Sequence, residues 1–323
     1  MYNLDEIKAP VRASFEEFER LFAQYTSSPI EGVNAYISYI CTLKGKQLRP
    51  LLTLLSAGLF GTPNEKTVSL AAAMEILHNT SLIHDDVVDE SVLRRNSRTL
   101  NALSGNKVAV LTGDYLFSQV LKLCADTGEI GVVKLMAELS QNMGEGELMQ
   151  QYVSQKQSVE MTEYYAIIEK KTAVFMSQCC RLGAYSNGAS EQQQQQLADF
   201  GLAIGTAFQI KDDVLDYTGN NTGKPMGNDI REKKMTLPLI YFLQHAPKQD
   251  REEVKRRFIA PVITDSDVDF IITKVSESGA LDYSKRKMAK YCLSALEELD
   301  GLPQNACLQS LENLSIFIIN RNQ

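Results

Sequence analysis

The chain is poor in the residues that build sheets, cages and nucleophilic sites. Alternating Val/Ile/Thr-rich segments are scarce and glycine is modest. Only nine prolines interrupt the 323 residues, while Ala, Leu, Glu, Gln and Lys fill long stretches. That composition predicts helix and speaks against a sheet-based core. Three histidines in the whole chain make a sparse supply of metal ligands, and no set of four inward glutamates of a dimetal oxidase accompanies the acids. The six cysteines (Cys41, Cys124, Cys179, Cys180, Cys292 and Cys307) show no C-x-x-C spacing, which favours free thiols in a cytoplasmic protein over a disulfide framework. No run reaches the ~18 apolar residues of a membrane span, and Val108–Thr112 is soon followed by Gly113 and Asp114, so no transmembrane segment is expected. The amino-terminal stretch resembles neither a signal nor a transit peptide. Phosphate-loop, dinucleotide-binding, EF-hand and Ser/His/Asp patterns are all missing. Positive charge is in the minority, at net -7 with pI near 5.2, which argues against a general nucleic-acid surface but leaves room for local basic sites.

What stands out instead is a repeated arrangement of acids. HNTSLIHDDVVDESVLRR, residues 78–95, places Asp85, Asp86 and Asp89 at i, i+1 and i+4. On a helix Asp85 and Asp89 share a face, with Asp86 close beside them. FQIKDDVLDY, residues 208–217, repeats the spacing with Asp212, Asp213 and Asp216. One copy reads equally well as a solvated helix end. Two copies, each terminating an apolar stretch, would form a negative cavity suited to several Mg²⁺ ions, and those ions would attract a phosphate-bearing substrate.

Cations gather at the breaks in the helical pattern. Lys44, Lys46 and Arg49 surround Gly45 just before the apolar run Leu51–Phe60. Arg94 and Arg95 lie in a stretch, 91–99, expected to fold back as a loop so that they face the acids. Lys171 and Lys211 sit near the second half of the pattern, and Lys224 and Lys234 belong to the one clear long loop, 219–235. Any one is an ordinary surface charge. Together they offer arginine forks and lysine point charges to a diphosphate. Helices are expected over 4–25, from Ser28-Pro29 to about Leu43, from Glu65 to the first acids, over 107–125, 130–153 and 159–186, from the Gln tract to the second acids, and over 236–245, 248–257, 265–277, 280–298 and 305–320. No linker divides them, so residues 1–323 read as a single all-α domain.

GKQLRP at 45–50, LIHDDVVDESVLRR at 82–95, EGE at 145–147, KT at 171–172, GTAFQIKDDVLD at 205–216 and the GK, GND and TLP elements at 223–238 together resemble the trans-isoprenyl diphosphate synthases. The likeness is greatest to the bacterial long-chain, octaprenyl-type polyprenyl enzymes. It implies helices around a deep central cavity, usually in a homodimer, and a Mg²⁺-dependent head-to-tail condensation of isopentenyl diphosphate with an allylic diphosphate. It also implies about three Mg²⁺ ions per site on Asp85, Asp86, Asp89, Asp212, Asp213 and Asp216. Lys46, Arg49 and Arg95 would bind isopentenyl diphosphate; Arg94, Lys171, Lys224 and Lys234 would take the allylic side, with His78, Thr172, Gln209 and Asp229 nearby. Asp85, Asp86, Asp89, Arg94, Lys171, Asp212 and Lys224 would carry catalysis. The product would serve a quinone side chain, with transient membrane association for its release. Asn96, Asn228 and Lys233 depart from the family's usual residues.

Product length is readable on the same helix. Ser81, Leu77 and Met74 lie four, eight and eleven residues before Asp85, on roughly its face. Short-product relatives place a large aromatic where Thr80 and Ser81 stand, so the small pair predicts a product longer than about C20 with Leu77 or Met74 as a deeper floor. The competing readings are a farnesyl or geranylgeranyl diphosphate synthase, a terpene cyclase, and a non-catalytic subunit of a heteromeric synthase.

Overall fold

The computed structural model describes residues 3–43, 45–156, 159–219 and 226–320, with residues 319 and 320 described by their backbone alone. Lys44 and Lys224 lie outside the described residues.

The helix Glu65–Val88 is the axis of the molecule. Asn64 opens it with a capping box, its side chain accepting from the Thr67 amide while its own amide donates to the Thr67 hydroxyl. Leu70, Ala71, Ala72, Ala73, Met74 and Ile76 are fully buried, so no face of its body could be left to water. Helices Arg12–Tyr25, Leu48–Gly58, Asn106–Asp126 and Val174–Ser186 pack around it. The helix closes in a Schellman turn, in which the Ser91 amide donates to the Asp86 carbonyl and the Glu90 amide to the Val87 carbonyl. Glu90, at φ 50°, occupies the left-handed position that glycine usually fills.

A second long helix, Glu191–Thr218, begins at a Ser190 capping box and packs on Val174–Ser186 and Ala280–Glu297. Its approach to the chain before Val174 depends on a missing side chain: a Cβ at Gly205 would stand 2.7 Å from the Ala173 Cα. Both long helices thus touch Val174–Ser186, and both carry acids at their carboxyl ends. A smaller apolar cluster, including Tyr217, Ile230, Phe242 and Ile271, lies beyond the end of the second helix.

The expected helices are present, and the departures from their expected limits are local. Pro10, lacking an amide hydrogen, divides 4–25 into Leu4–Lys8, a 3₁₀ turn at Ala9–Val11, and Arg12–Tyr25. The helix expected from Ser28 starts instead at Glu31, because the Ser28 amide donates to the Asn34 side chain and holds the chain outside the helix. Within 159–186, helix Met161–Ile168 passes through a π turn, Glu169–Ala173, into Val174–Ser186. Residues 91–99 do fold back, as a hairpin pairing Leu93–Arg94 with Ser97–Arg98.

Asn106–Asp126 runs through Gly113 and Asp114, in line with the helix expected over 107–125, and by length and composition alone it is long and apolar enough to cross a membrane. Thr112, Leu116 and Val120 on this helix are buried, while Val110, Leu111 and Leu121 are exposed. All six cysteines are free, as the missing C-x-x-C spacing predicts.

Candidate active site

Asp85 and Asp86 occupy the last turn of Glu65–Val88, and Asp89 caps it; Asp212, Asp213 and Asp216 occupy the last two turns of Glu191–Thr218. A helix carboxyl end already carries roughly half a negative charge, so acids there need cations nearby. The protein supplies several. Arg94 Nε donates to the buried Asp86 at 2.8 Å. Lys234 Nζ donates to Asp89 at 2.8 Å and to Glu232 at 2.7 Å. Lys171 is bonded to Glu147 and lies 4.0 Å from Asp85. Burial raises the Asp85 carboxyl, a rise that Lys171 opposes. For Lys234, burial lowers the ammonium, but Asp89 and Glu232 outweigh it and leave it above its ordinary value.

In the second cluster, Asp213 and Asp216 are held by neutral donors. Asp213 accepts from the Tyr164 hydroxyl at 2.6 Å, the Gln209 amide at 3.1 Å and the Leu237 backbone at 3.4 Å. Asp216 accepts from the backbone amides of Asn228 at 2.9 Å and Asp229 at 3.2 Å. With no formal positive charge in these sets, burial first and the Asp229 carboxylate second push Asp213 and Asp216 each up to about 7.

Two segments join the clusters. Lys171 reaches towards Asp85 while its neighbour Thr172 donates to Gln209, which donates in turn to Asp213. The π turn Glu169–Ala173 lets two successive residues face opposite acid groups, a distortion helices often keep at functional sites. The stretch 228–234 does the same from the other side, its amides on Asp216 and its Lys234 on Asp89.

The hairpin separates the two arginines. Arg95 and Asn96, at φ 52° and 61°, form its two-residue left-handed turn, a conformation asparagine tolerates, so the departure at Asn96 is absorbed locally. Arg94 turns to the acids, whereas Arg95 donates to the Leu43 carbonyl, and its guanidinium lies where a Cβ at Gly45 would stand. Arg49 lies over the Phe175 ring at 4.7 Å, His78 meets the same ring edge-on at 6.2 Å, and Lys46 lies 5.5 Å from Phe317. Burial, then Arg49, Arg95 and Arg94, hold His78 well below its ordinary value, so the ring is neutral at pH 7.

The residues from 30 to 274 match the family description Polyprenyl synthetase. The chain belongs to this family. It is 35% identical over 98% of its length to the all-trans-nonaprenyl-diphosphate synthase (geranyl-diphosphate specific) of Rhodobacter capsulatus, covering 98% of that protein. It is 30% identical over its whole length to the octaprenyl diphosphate synthase of Haemophilus influenzae, covering 98%. The crystal structure of a polyprenyl synthase from Caulobacter crescentus, complexed with calcium and isoprenyl diphosphate, superimposes with a TM-score of 0.93 at 32% identity, covering 99% of this chain and 98% of that one. The all-α architecture is therefore that of the solved family members.

Among the described residues no three His, Cys, Asp or Glu side chains converge as a metal cage. The donor chemistry nonetheless fits a hard divalent cation: carboxylate oxygens at negative helix ends, three of the carboxyls with raised proton affinity, in a site where such an ion would complete its shell with water and substrate phosphates. His84 sits 3.7 Å from Asp114 and does not serve its neighbour Asp85. Met74, Leu77 and Thr80 are buried and Ser81 half-buried. The hydroxyls of Thr80 and Ser81 donate back to the carbonyls of Ile76 and His78, so neither leaves an unmet polar group beside an apolar chain. Sequence reading missed Tyr164 and the pairing of Glu147 with Lys171. An acid at 147 inside an otherwise apolar period was the available signal; a tyrosine among tyrosines gave none.

Proposed function

We propose that the protein condenses isopentenyl diphosphate with an allylic diphosphate, head to tail, and extends the product to a long all-trans polyprenyl diphosphate. The observation that carries this reading is the double bridge between the acid clusters, through Lys171–Thr172 on one side and residues 228–234 on the other. Asp85, Asp86, Asp89, Asp212, Asp213 and Asp216 would hold Mg²⁺, about three ions, which when bound draw negative charge from the departing diphosphate. Arg94, Lys171 and Lys234 neutralise the rest of that charge, with Lys224 assigned to the same task. Their placement at the developing charge favours an allylic carbon of carbocation character. Lys46, Arg49 and Arg95 hold isopentenyl diphosphate at the helix break around Gly45, with His78 as a neutral wall. The double bond attacks the allylic carbon, and the released diphosphate takes the proton lost in forming the new trans double bond. Buried Met74 and Leu77 line the path below, where water would quench the cation.

Small Thr80 and Ser81, together with octaprenyl and nonaprenyl relatives, favour a product longer than about C20, which would supply a lipid such as a quinone side chain. A cytoplasmic homodimer accounts for the exposed Val110, Leu111 and Leu121 on a helix otherwise packed into the core, with transient membrane contact for product release. We read residues 1–323 as one functional unit.

Incubating the purified protein with Mg²⁺, isopentenyl diphosphate and each of geranyl, farnesyl and geranylgeranyl diphosphate, followed by product mass, tests the reading. Elongation beyond C20 is expected. No elongation from any primer removes the catalytic assignment and leaves the non-catalytic subunit, while a product stopping at C15 or C20 replaces the long-chain assignment with a short-chain one.

A further inference from the structure

Tyr164 has no part in the reaction as read above, yet it is tied directly to an acid of the site. It stands on the helix Met161–Ile168 with 4% of its surface exposed, and its ring meets Tyr165 edge-on at 5.3 Å. Its hydroxyl donates to Asp213 Oδ2 at 2.6 Å. The other oxygen of that carboxyl, Oδ1, accepts from the Gln209 amide at 3.1 Å, and the Gln209 amide oxygen accepts in turn from the Thr172 hydroxyl at 3.0 Å. Thr172 lies on the same continuous stretch of helix as Tyr164, in the π turn Glu169–Ala173 that follows Met161–Ile168. The bonds therefore close a ring. It ties the stretch 164–172 to the helix Glu191–Thr218 at two points, one ahead of the π turn and one inside it.

The π turn is the part of this stretch that needs holding. The Val174 amide donates to the Glu169 carbonyl five residues back, so the turn carries one residue more than an α-helical turn, an arrangement that persists where its surroundings impose it. Two neighbours press on it from the sides: a Cβ at Gly205 would stand 2.7 Å from the Ala173 Cα, and a Cβ at Gly146 would stand 3.0 Å from the Lys171 amide nitrogen. These contacts block sideways movement but not rotation of the turn about its own axis. Redistributing one residue along a helix swings a side chain by about 100°, enough to carry Lys171 away from Asp85. The hydrogen bonds of Tyr164 and Thr172 oppose that rotation. Lys171 itself is bonded to Glu147 and lies 4.0 Å from Asp85, so its own contacts draw it to Glu147 and leave its place over the first cluster to the turn that carries it.

We propose that Tyr164 is a positioning residue for the allylic diphosphate, its hydroxyl bond to Asp213 anchoring the π turn so that Lys171 stands beside Asp85. The inference rests on the assignment of Lys171 to the allylic side. It predicts a separation of the two substrates: loss of the hydroxyl loosens the allylic side, whereas Arg49, over the Phe175 ring, and Arg95, on the Leu43 carbonyl, keep their own partners on the isopentenyl side.

The test compares the parent with Tyr164→Phe, which keeps the ring and removes only the hydroxyl, with circular dichroism and thermal melting of each protein. Titration calorimetry in Mg²⁺ gives Kd for farnesyl thiodiphosphate, an allylic diphosphate whose carbon–sulfur bond resists ionisation, and for isopentenyl diphosphate; elongation is measured separately. Kd for farnesyl thiodiphosphate is expected to rise about tenfold, the scale of one hydrogen bond to a charged group, while Kd for isopentenyl diphosphate changes less than about twofold. In a Lys171→Gln background the same Tyr164→Phe exchange is expected to add less than about twofold, because its effect runs through Lys171. Where Tyr164→Phe fails to fold, Thr172→Val, which opens the ring at its other end, must give the same selective loss. An unchanged Kd for farnesyl thiodiphosphate, a fall in it, or equal rises for both ligands overturns the proposal. So does a tenfold rise that persists in Lys171→Gln, which would show the hydroxyl acting through Asp213 alone, and so does a lowered melting temperature with both Kd values intact, which would assign Tyr164 to stability. A parent that binds both ligands but elongates nothing refutes the functional reading and leaves the proposal to its own arms; a parent that binds neither removes both.

Discussion

Replacing Gly205 with alanine probes the contact on which the placement of Lys171 and Thr172 depends. The added methyl would stand 2.7 Å from the Ala173 Cα and 3.2 Å from its carbonyl oxygen, and backbone cannot swing aside as a flexible side chain can. Alanine in a helix interior gains ~0.5–1 kcal/mol over glycine, whereas forcing extra volume into a packed contact costs ~1–3 kcal/mol. Gly144 supplies the control, since a Cβ there meets nothing within 4 Å in the helix Ile130–Lys156. Gly144→Ala is expected to stabilise by the full propensity gain. Gly205→Ala should fall below Gly144→Ala by ~1–3 kcal/mol in urea unfolding. The strain enters at the residue after Thr172, which bonds Gln209, so elongation should slow as well, through displacement of Thr172 and Lys171. A misplacement of about 1 Å can cost on the order of a hundredfold in rate. Equal stabilities for the two variants with unchanged turnover would show that the close approach at Ala173 does not hold.

Three further outcomes are expected. Asp213 and Asp216 have folded values near 7 against an ordinary value of 3.8, so their contribution to stability is fully present below about 3.8 and is lost as pH rises through about 7. A divalent cation that takes their negative charge must therefore stabilise the protein more at about pH 8 than at about pH 5.5, and equal Mg²⁺-induced melting shifts at the two values would refute this. Glu90→Gly, which places glycine at the left-handed Schellman position, should raise the melting temperature by about 2 °C, from roughly 1 kcal/mol of relieved strain; calorimetry checks it. Ser81→Phe should shorten the product, read by chromatography, and an unchanged length would remove the Asp85 face of Glu65–Val88 as the ruler.

The parts of the fold that showed in the sequence are those governed by short-range pattern. The all-round apolar body of Glu65–Val88 announced a buried helix, and the repeated aspartate spacing located both acid clusters at helix ends. Arg94 and Arg95 were expected to fold back, but that they part company, one to Asp86 and one to the Leu43 carbonyl, follows from a two-residue turn whose left-handed angles nothing at Arg95 foretells. The π turn at Glu169–Ala173 was hidden for a different reason: its cause is tertiary, the packing of Lys170 and Lys171 against Gly146 and of Ala173 against Gly205. Tyr164 meets Asp213 across 49 residues of sequence, a pairing that composition and periodicity do not encode.

The ion pairs Asp86–Arg94 and Asp89–Lys234 also decide what kind of visitor the site admits. A divalent ion arriving alone would take the aspartates, stranding Arg94 and leaving Lys234 with Glu232 alone; a diphosphate arriving alone would take the cations and strand two aspartates. A visitor carrying both signs exchanges each internal pair for two external ones, leaving no charge unanswered. Metal and diphosphate together are therefore expected to bind more tightly than either does by itself.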